Sequence, residues 1–330
     1  MRIGNREIGP GEPCYVIAEI GSNHNCNLQT AMALIDVAGD GGADAVKFQV
    51  FKADALYSRL SAPDEWRIAK DAELPLTWLY TLAWHAHLKD LHFICSTFCQ
   101  ETTDAATPYC DALKVASCEL VDLDLVRHIG SKGKLVILST GMSTSGGRRR
   151  AHGALSDNAD AAWLYCASTY PAEAGQLSLA HMTQLEHGPW GLSDHTPSIA
   201  VPAIAVSHGA SIIEKHLTLD RKQQGSDHHY ALEPAEFALM VRGIREAEAM
   251  MQGGYHDGPS MQERASTFRL RRSVHAARDI APGAMICAED LVVQRPSDGA
   301  RPCDMERLIG VTVTKDGGYR KGEGICNGLY

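Results

Sequence analysis

The chain reads as an α/β protein whose larger part is a closed barrel of parallel strands, followed by a small, mostly β domain. Three observations predict this. Eight short apolar stretches recur through the first two thirds, at 15–20, 45–48, 93–95, 113–116, 135–138, 163–166, 190–192 and 211–213, with amphipathic segments of helical length between them. Nearly every stretch ends in reactive or anion-friendly polar side chains, and the carboxyl ends of the strands are where a (βα)8, or TIM, barrel carries its chemistry. The 330 residues also exceed a barrel of about 250 residues by one small appendage.

Taken in order, segment 2–13 has the pattern of a short hairpin with Pro10-Gly11 as its turn, suited to plugging the barrel bottom. The first strand then ends in Glu19, the second carries Lys47 and Gln49, and the third runs into Ser96 and Thr97. The fourth contains Lys114 and leads to Ser117, the fifth reaches Ser139 and Thr140, and the sixth is followed by Ser168. The seventh closes in Ser193-Asp194-His195 and the eighth in Glu214-Lys215-His216. A last barrel helix is expected over about 235–251, because Pro234 suits a first helical turn and Gly253-Gly254 ends it. The barrel therefore covers 1–254, a polar linker containing Gly258-Pro259 covers 255–270, and the small domain covers 271–330, with strand-like pieces at 273–276 and 291–294. Only about 60 residues long, that domain buries little core alone and should pack on another surface, of its own barrel or a partner's.

Composition narrows the function. Hydrophobic residues at 45% and charged residues at 22% describe an ordinary globular chain, and a net charge of -9 gives no general attraction to nucleic acid or anionic membrane. No apolar run approaches a bilayer span and the first residues lack a signal-peptide core, so a cytoplasmic protein is expected. The ten cysteines include no CxxC pair and read as reduced, mostly buried thiols. Arg148-Arg149-Arg150 reads as a solvated helix start, and no Walker loop, dinucleotide fingerprint or zinc-finger spacing is present.

The strand ends carry the candidate chemistry. Lys47 and Lys114 lie inside apolar strands, where a buried ammonium needs an anion; either a ligand phosphate or carboxylate, or internal pairs with Glu19 and Glu119, would supply it. Thr97, Ser117, Ser139 and Ser193 could add neutral donors. His195 and His216, ending adjacent strands, would suit Mn²⁺, Mg²⁺ or Zn²⁺ as a Lewis acid, or be hydrogen-bonded rim histidines. Glu19 is a general acid or base or a counter-charge. His24, in Asn23-His24-Asn25, reads as loop-ordering, Asp227 as a ligand for substrate hydroxyls, and His228-His229 as solvated.

These residues stand in motifs: Ala18-Glu19-Ile20-Gly21-Ser22-Asn23-His24-Asn25, Gly42-Ala43-Asp44-Ala45-Val46-Lys47-Phe48-Gln49, Leu138-Ser139-Thr140-Gly141-Met142, Gly191-Leu192-Ser193-Asp194-His195-Thr196, Glu214-Lys215-His216, and Arg295-Pro296 in the tail. Over nearly its whole length the chain resembles the sialic acid synthases and their relatives that make nonulosonic acids. The resemblance implies a TIM barrel followed by an antifreeze-like SAF domain swapped across a homodimer. It also implies a phosphoenolpyruvate-dependent, carbon–carbon bond-forming transferase that condenses phosphoenolpyruvate with an N-acyl hexosamine aldehyde and releases phosphate. By the same resemblance Lys47, Thr97, Lys114, Ser117, Ser139, Ser168 and Ser193 hold phosphoenolpyruvate, and His195 and His216 bind a divalent metal, Mn²⁺ ahead of Mg²⁺ or Co²⁺. Gln49, Tyr170, Asp227 and a partner-supplied Arg295 face the sugar. The acceptor expected first is N-acetylmannosamine, giving N-acetylneuraminate, with the diacetamido trideoxy hexoses of legionaminic and pseudaminic acid as alternatives. A 3-deoxy sugar-acid synthase and a non-catalytic barrel are the other readings, the first opposed by Arg295-Pro296 and the second by the intact lysines and histidines. Cys26 departs from the family's glycine after Asn-His-Asn, the proline usual after Thr97 is missing, and Ser168 stands where some relatives carry asparagine.

Overall fold

A computed structural model describes residues 1–155, 159–182, 188–254 and 257–326. The chain divides into two compact units, Met1–Gly253 and Gly254–Tyr330. The linker's expected start at Tyr255 and the tail's last residues, 327–330, lie outside the described residues.

A two-stranded hairpin, β1 (Arg2–Ile3) and β2 (Arg6–Glu7), precedes eight barrel strands: β3 (Tyr15–Gly21), β4 (Ala45–Val50), β5 (His92–Thr97), β6 (Ala112–Val115), β7 (Leu135–Ser139), β8 (Ala161–Tyr165), β9 (Trp190–Asp194) and β10 (Ile212–His216). Each pairs in parallel with the next, and β10 closes on β3 through Ile212↔Tyr15 to His216↔Glu19. Helices cover the outside, so both strand faces are buried and the strands read as nearly continuous apolar runs.

Alternation at period two sorts each strand. Val16, Ala18, Val46, Phe48, Phe93, Leu113, Val136, Leu192 and Ile213 point outward into the helix layer. Tyr15, Ile17, Ala45, Ile94, Ala112, Ile137, Leu164 and Ile212 fill the interior, joined from below by Ile3 and Ile8, so the hairpin does plug the bottom. Its turn is Gly4-Asn5 rather than Pro10-Gly11. Gly4 adopts φ +54, and a Cβ there would lie 2.5 Å from His92 Nε2, a double demand that only glycine meets.

The last barrel helix, Pro234–Gln252, starts with proline in its first turn and a capping box of Glu233 and Glu236. Within the segment read as a linker, Met261–Leu270 is helical, because Ser260 and Glu263 form another capping box. All ten cysteines are unpaired, but only Cys14, Cys95, Cys110 and Cys166 are buried; five are exposed, since most of the others sit on loops. No described helix is long and apolar enough to cross a membrane.

The second unit pairs β11 (Ser273–Ala276) with β12 (Leu291–Gln294) antiparallel and has its own core of Val274, Ile280, Ile286, Leu308, Val313 and Ile325. The Ser273 hydroxyl donates to Pro296 O at 2.7 Å and accepts from Gly299 N at 2.9 Å, fixing the turn that carries Arg295.

Candidate active site

The interior changes character along its strands. Continuing the inward parity past the apolar layers brings Glu19, Lys47, Gln49, Ser96, Lys114, Ser139, Ser193, His195, Glu214 and His216 to the carboxyl-terminal mouth, where they line one pocket with Ser117, Cys166 and Tyr170. Lys47 Nζ donates to Ser96 Oγ at 2.9 Å and contacts Glu19 Oε2 at 3.0 Å and Glu214 Oε2 at 3.4 Å. Gln49 Nε2 donates to Glu19 Oε1 at 2.9 Å. Lys114 Nζ donates to Ser139 Oγ at 2.6 Å, and its nearest carboxylate oxygen, Glu214 Oε1, is 4.0 Å away. Ser193 Oγ donates to that same oxygen at 2.8 Å.

Four charged groups thus share one buried space with unequal support. Glu19 Oε2, Glu214 Oε2 and His216 Nδ1 have no hydrogen bond; the two carboxylate oxygens meet Lys47 only as out-of-line ion contacts. Burial pushes the Glu19 carboxyl up to about 7, with Lys47 opposing and Glu214 adding to the rise. Burial would raise Glu214 too, but Lys114, Lys47 and the Ser193 hydroxyl outweigh it and hold that carboxyl at about 2. Burial lowers Lys114, Glu214 only partly offsets this, and Lys47 adds repulsion; Lys47, with two carboxylates close by, is raised despite its burial. Environments that push two carboxyls apart assign one as a proton carrier near neutrality and the other as a fixed anion. Here the carboxyl placed near neutrality is that of Glu19 and the one held ionised is that of Glu214.

The histidines stand beside this cluster with ring centroids 5.6 Å apart. His195 Nδ1 meets Ala167 O at 2.8 Å, which fixes the tautomer and leaves Nε2 with its lone pair. Burial, helped by neighbouring His216, pushes His195 down to about 4, and burial lowers His216 as well. Asp227 Oδ2 lies 3.7 Å from His216 Nδ1, and Tyr230 OH lies 3.5 Å from His216 Nε2. Two buried neutral imidazoles, one with an unpartnered nitrogen, fit a divalent ion that completes its shell with substrate and solvent oxygens. Among the described residues no group of three or more His, Cys, Asp or Glu side chains forms a closed metal cage.

Two glycines keep the mouth open. A Cβ on Gly141 would lie 2.0 Å from Ser168 Oγ, 2.7 Å from Cys166 Sγ and 2.9 Å from Ser117 Oγ, so these polar atoms converge on bare backbone. A Cβ on Gly21 would lie 3.1 Å from Glu19 Oε1, 3.2 Å from Gln49 Nε2 and 3.3 Å from Asp227 Oδ2, which draws the expected sugar-facing residues together. Tyr170 packs against His195 with ring centroids 4.3 Å apart and planes tilted by 35°.

Some expectations shift. Thr97 faces outward, its hydroxyl 2.8 Å from Thr103 Oγ1, and the hydroxyl beside Lys47 is that of Ser96, one step earlier on the inward parity. The internal partner of Lys114 is Glu214, not Glu119; Glu214 shares the inward parity of His216 two residues on. His228 is buried rather than solvated, held by Thr218 Oγ1 at 2.6 Å and Asn25 Oδ1 at 3.1 Å. Cys166 and Tyr230 join the mouth without having been singled out. Arg295 is exposed at the end of β12 in the second unit.

Comparison with known proteins agrees with this arrangement. The NeuB family model matches residues 34–256 and the SAF domain model matches residues 271–316. An N,N'-diacetyllegionaminic acid synthase of Legionella pneumophila is 35% identical, covering 93% of this chain and 92% of its own length. A pseudaminic acid synthase of Campylobacter jejuni is 30% identical, covering 96% of each. The crystal structure of the N-acetylneuraminic acid synthetase of Leptospira borgpetersenii, with citrate, superposes with a TM-score of 0.75 at 29% identity, over 81% of this chain and 94% of that one. A barrel whose polar mouth sits, but for Glu19 on β3, on NeuB-matched strands, followed by a SAF-matched unit, places the chain: it belongs to the NeuB family, the nonulosonic acid synthases.

Proposed function

We propose that the protein condenses phosphoenolpyruvate with the open-chain aldehyde of an N-acyl hexosamine, releasing phosphate and leaving a nine-carbon 2-keto acid. The observation that carries this reading is the pair of buried ammonium groups, Lys47 and Lys114, set among Ser96, Ser117, Ser139 and Ser193 with too little negative charge around Lys114. An anion with both phosphate and carboxylate ends fits that need.

In this reading Lys47 and Lys114 anchor phosphoenolpyruvate, with Ser117 and Ser168 around the open backbone of Gly141. Gln49, Asp227 and Tyr170 face the acceptor, and Arg295, supplied by a second copy of the chain, serves its acyl end. His195 and His216 would hold a divalent ion, Mn²⁺ first, which would supply Lewis-acid polarisation of the acceptor carbonyl. Carbon 3 of phosphoenolpyruvate forms the new bond to the aldehyde carbon, whose oxygen takes a proton, and carbon 2 becomes electron-poor. Water adds at carbon 2 and gives one proton to Glu19, the group held near neutrality, replacing the proton passed to the former aldehyde oxygen; the bond from carbon 2 to the phosphate oxygen then breaks, the remaining hydroxyl proton goes to the departing phosphate, and the keto group remains. Glu214 stays ionised and stabilises the electron-poor carbon.

Relatives named for legionaminic and pseudaminic acid support a diacetamido trideoxy hexose as strongly as the sequence resemblance supports N-acetylmannosamine, so the acceptor is assigned at the level of the N-acyl hexosamine. The test is phosphate release from phosphoenolpyruvate with Mn²⁺ and a panel of N-acetylmannosamine, its 6-phosphate and the two diacetamido hexoses, with products weighed. Turnover with one of them is expected. Folded, Mn²⁺-loaded protein that binds phosphoenolpyruvate but turns over none would refute the acceptor class, and protein that binds no phosphoenolpyruvate would refute the anion site.

A further inference from the structure

We infer that the buried Asp194–Lys215 ion pair on the outer face of the barrel is the positioning device for His195 and His216; the inference deepens the proposed metal-dependent reaction and rests on it. Asp194 immediately precedes His195 and Lys215 immediately precedes His216, and the two are register partners on β9 and β10. Strand parity therefore turns both histidines inward and both charges outward, back to back through the same backbone.

The pair is wholly buried, at 1% exposure each. Its hydrogen bonding is complete. Lys215 Nζ donates to Asp194 Oδ2 at 2.5 Å, to Ser198 O at 3.0 Å and to Thr196 O, using all three protons. The carboxylate also accepts from Thr196 N at 2.9 Å and Thr196 Oγ1 at 3.2 Å. The ammonium on β10 thus grips the chain on both sides of His195, at 194 and at 196–198, and locks the ends of the two histidine-bearing strands to one another. With its backbone held, His195 needs only the Ala167 carbonyl to fix its ring.

Stability does not account for the choice. Most outward positions on the other strands are apolar, among them Val46, Leu113 and Val136, and well-packed hydrophobic side chains often replace buried ion pairs at no loss or at a gain. What such a pair adds is a single orientation, and supports behind metal-binding histidines typically hold affinity by about 10- to 100-fold. Asp194 and Lys215 touch no substrate here; they act through the histidines.

The deciding variant is Asp194→Leu/Lys215→Met, which removes both charges and keeps apolar bulk. It is expected to fold, melting no lower than Lys215→Met alone because no unpaired charge is left buried, while Mn²⁺ affinity, measured by calorimetry without substrate, falls about 10- to 100-fold and phosphoenolpyruvate affinity holds. Parental Mn²⁺ affinity in the folded double variant would overturn the inference. Should it fail to fold, Asp194→Asn takes its place, with reduced Mn²⁺ affinity expected and unchanged affinity overturning. If the parent itself binds no Mn²⁺, the metal reading falls separately. The ring-nitrogen NMR resonances of His195 and His216 then decide between parent and variant: displaced resonances uphold positioning, and coincident ones refute it.

Discussion

On the outer face of the barrel wall, Lys215 is gripped by a carboxylate at 2.5 Å and by two loop carbonyls, and its partner Asp194 is equally well served by Thr196. On the inner face, Lys114 has one serine at 2.6 Å, one long backbone contact at 3.3 Å and a carboxylate no nearer than 4.0 Å, while Glu19, Glu214 and His216 each keep an atom without a hydrogen bond. Both faces bury charge, at similar desolvation cost. The difference teaches that a complete network belongs to architecture, whereas an incomplete one is a site whose missing partners arrive with the ligand.

The sharpest way to break that comparison is to truncate one lysine on each face. Lys114→Met is expected to lower kcat/KM for phosphoenolpyruvate by about 10³-fold with a small change in Tm, because its ammonium was poorly supported in the free protein. Lys215→Met is expected to destabilise by about 3–5 kcal/mol, since Asp194 is left buried and unpaired. Denaturant titrations showing equal losses for the two variants would end the distinction. His24 extends it to pH. Its Nε2 is buried without a partner, and burial pushes the imidazole from 6.5 down to about 4. The folded state then resists protonation that the unfolded chain accepts, so stability is full above pH 6.5 and drains away toward pH 4, by up to about 3 kcal/mol. His24→Phe should flatten that slope in unfolding measured from pH 7 to 4. Gly141→Ala tests the open backbone: its methyl would collide with Ser168, Cys166 and Ser117, costing about 1–3 kcal/mol and raising the phosphoenolpyruvate KM roughly 10-fold or more, while the alanine variant of an open glycine such as Gly153 should not. Smallest is the contrast on β5, where Ser96→Ala should raise that KM several-fold, on the order of one lost hydrogen bond to a charge, and Thr97→Val should leave it nearly unchanged.

Much of this was legible in the chain. Apolar runs ending in polar residues located all eight strands, and Pro234 located the helix after them, because burial on both faces and φ restriction leave plain marks. Parity would also have separated Ser96 from Thr97, since Ile94 and Ser96 must share a face, and would have sent Glu214 inward with His216. The capping box Ser260 to Glu263 was readable too, but polar composition masked it as a linker. Other features were beyond local pattern. That Lys114 on β6 looks to Glu214 on β10 depends on the shear of a closed barrel, and that Gly141 admits three polar side chains depends on where loops from β6 and β8 arrive.

Barrel closure has a kinetic consequence. The strand that seals the sheet against β3, nearly two hundred residues upstream, is β10, and it is the same strand that delivers Glu214 and His216. A chain that has formed only β3 to β9 has two open sheet edges, and both Lys47 and Lys114 lack the carboxylate they share. Such a nascent form has His195 without His216 beside it and cannot shelter its ammonium groups, and its unpaired edges invite misassociation during synthesis. Maturation of the active centre and completion of the fold are therefore one late event, governed by the longest loop the chain has to close.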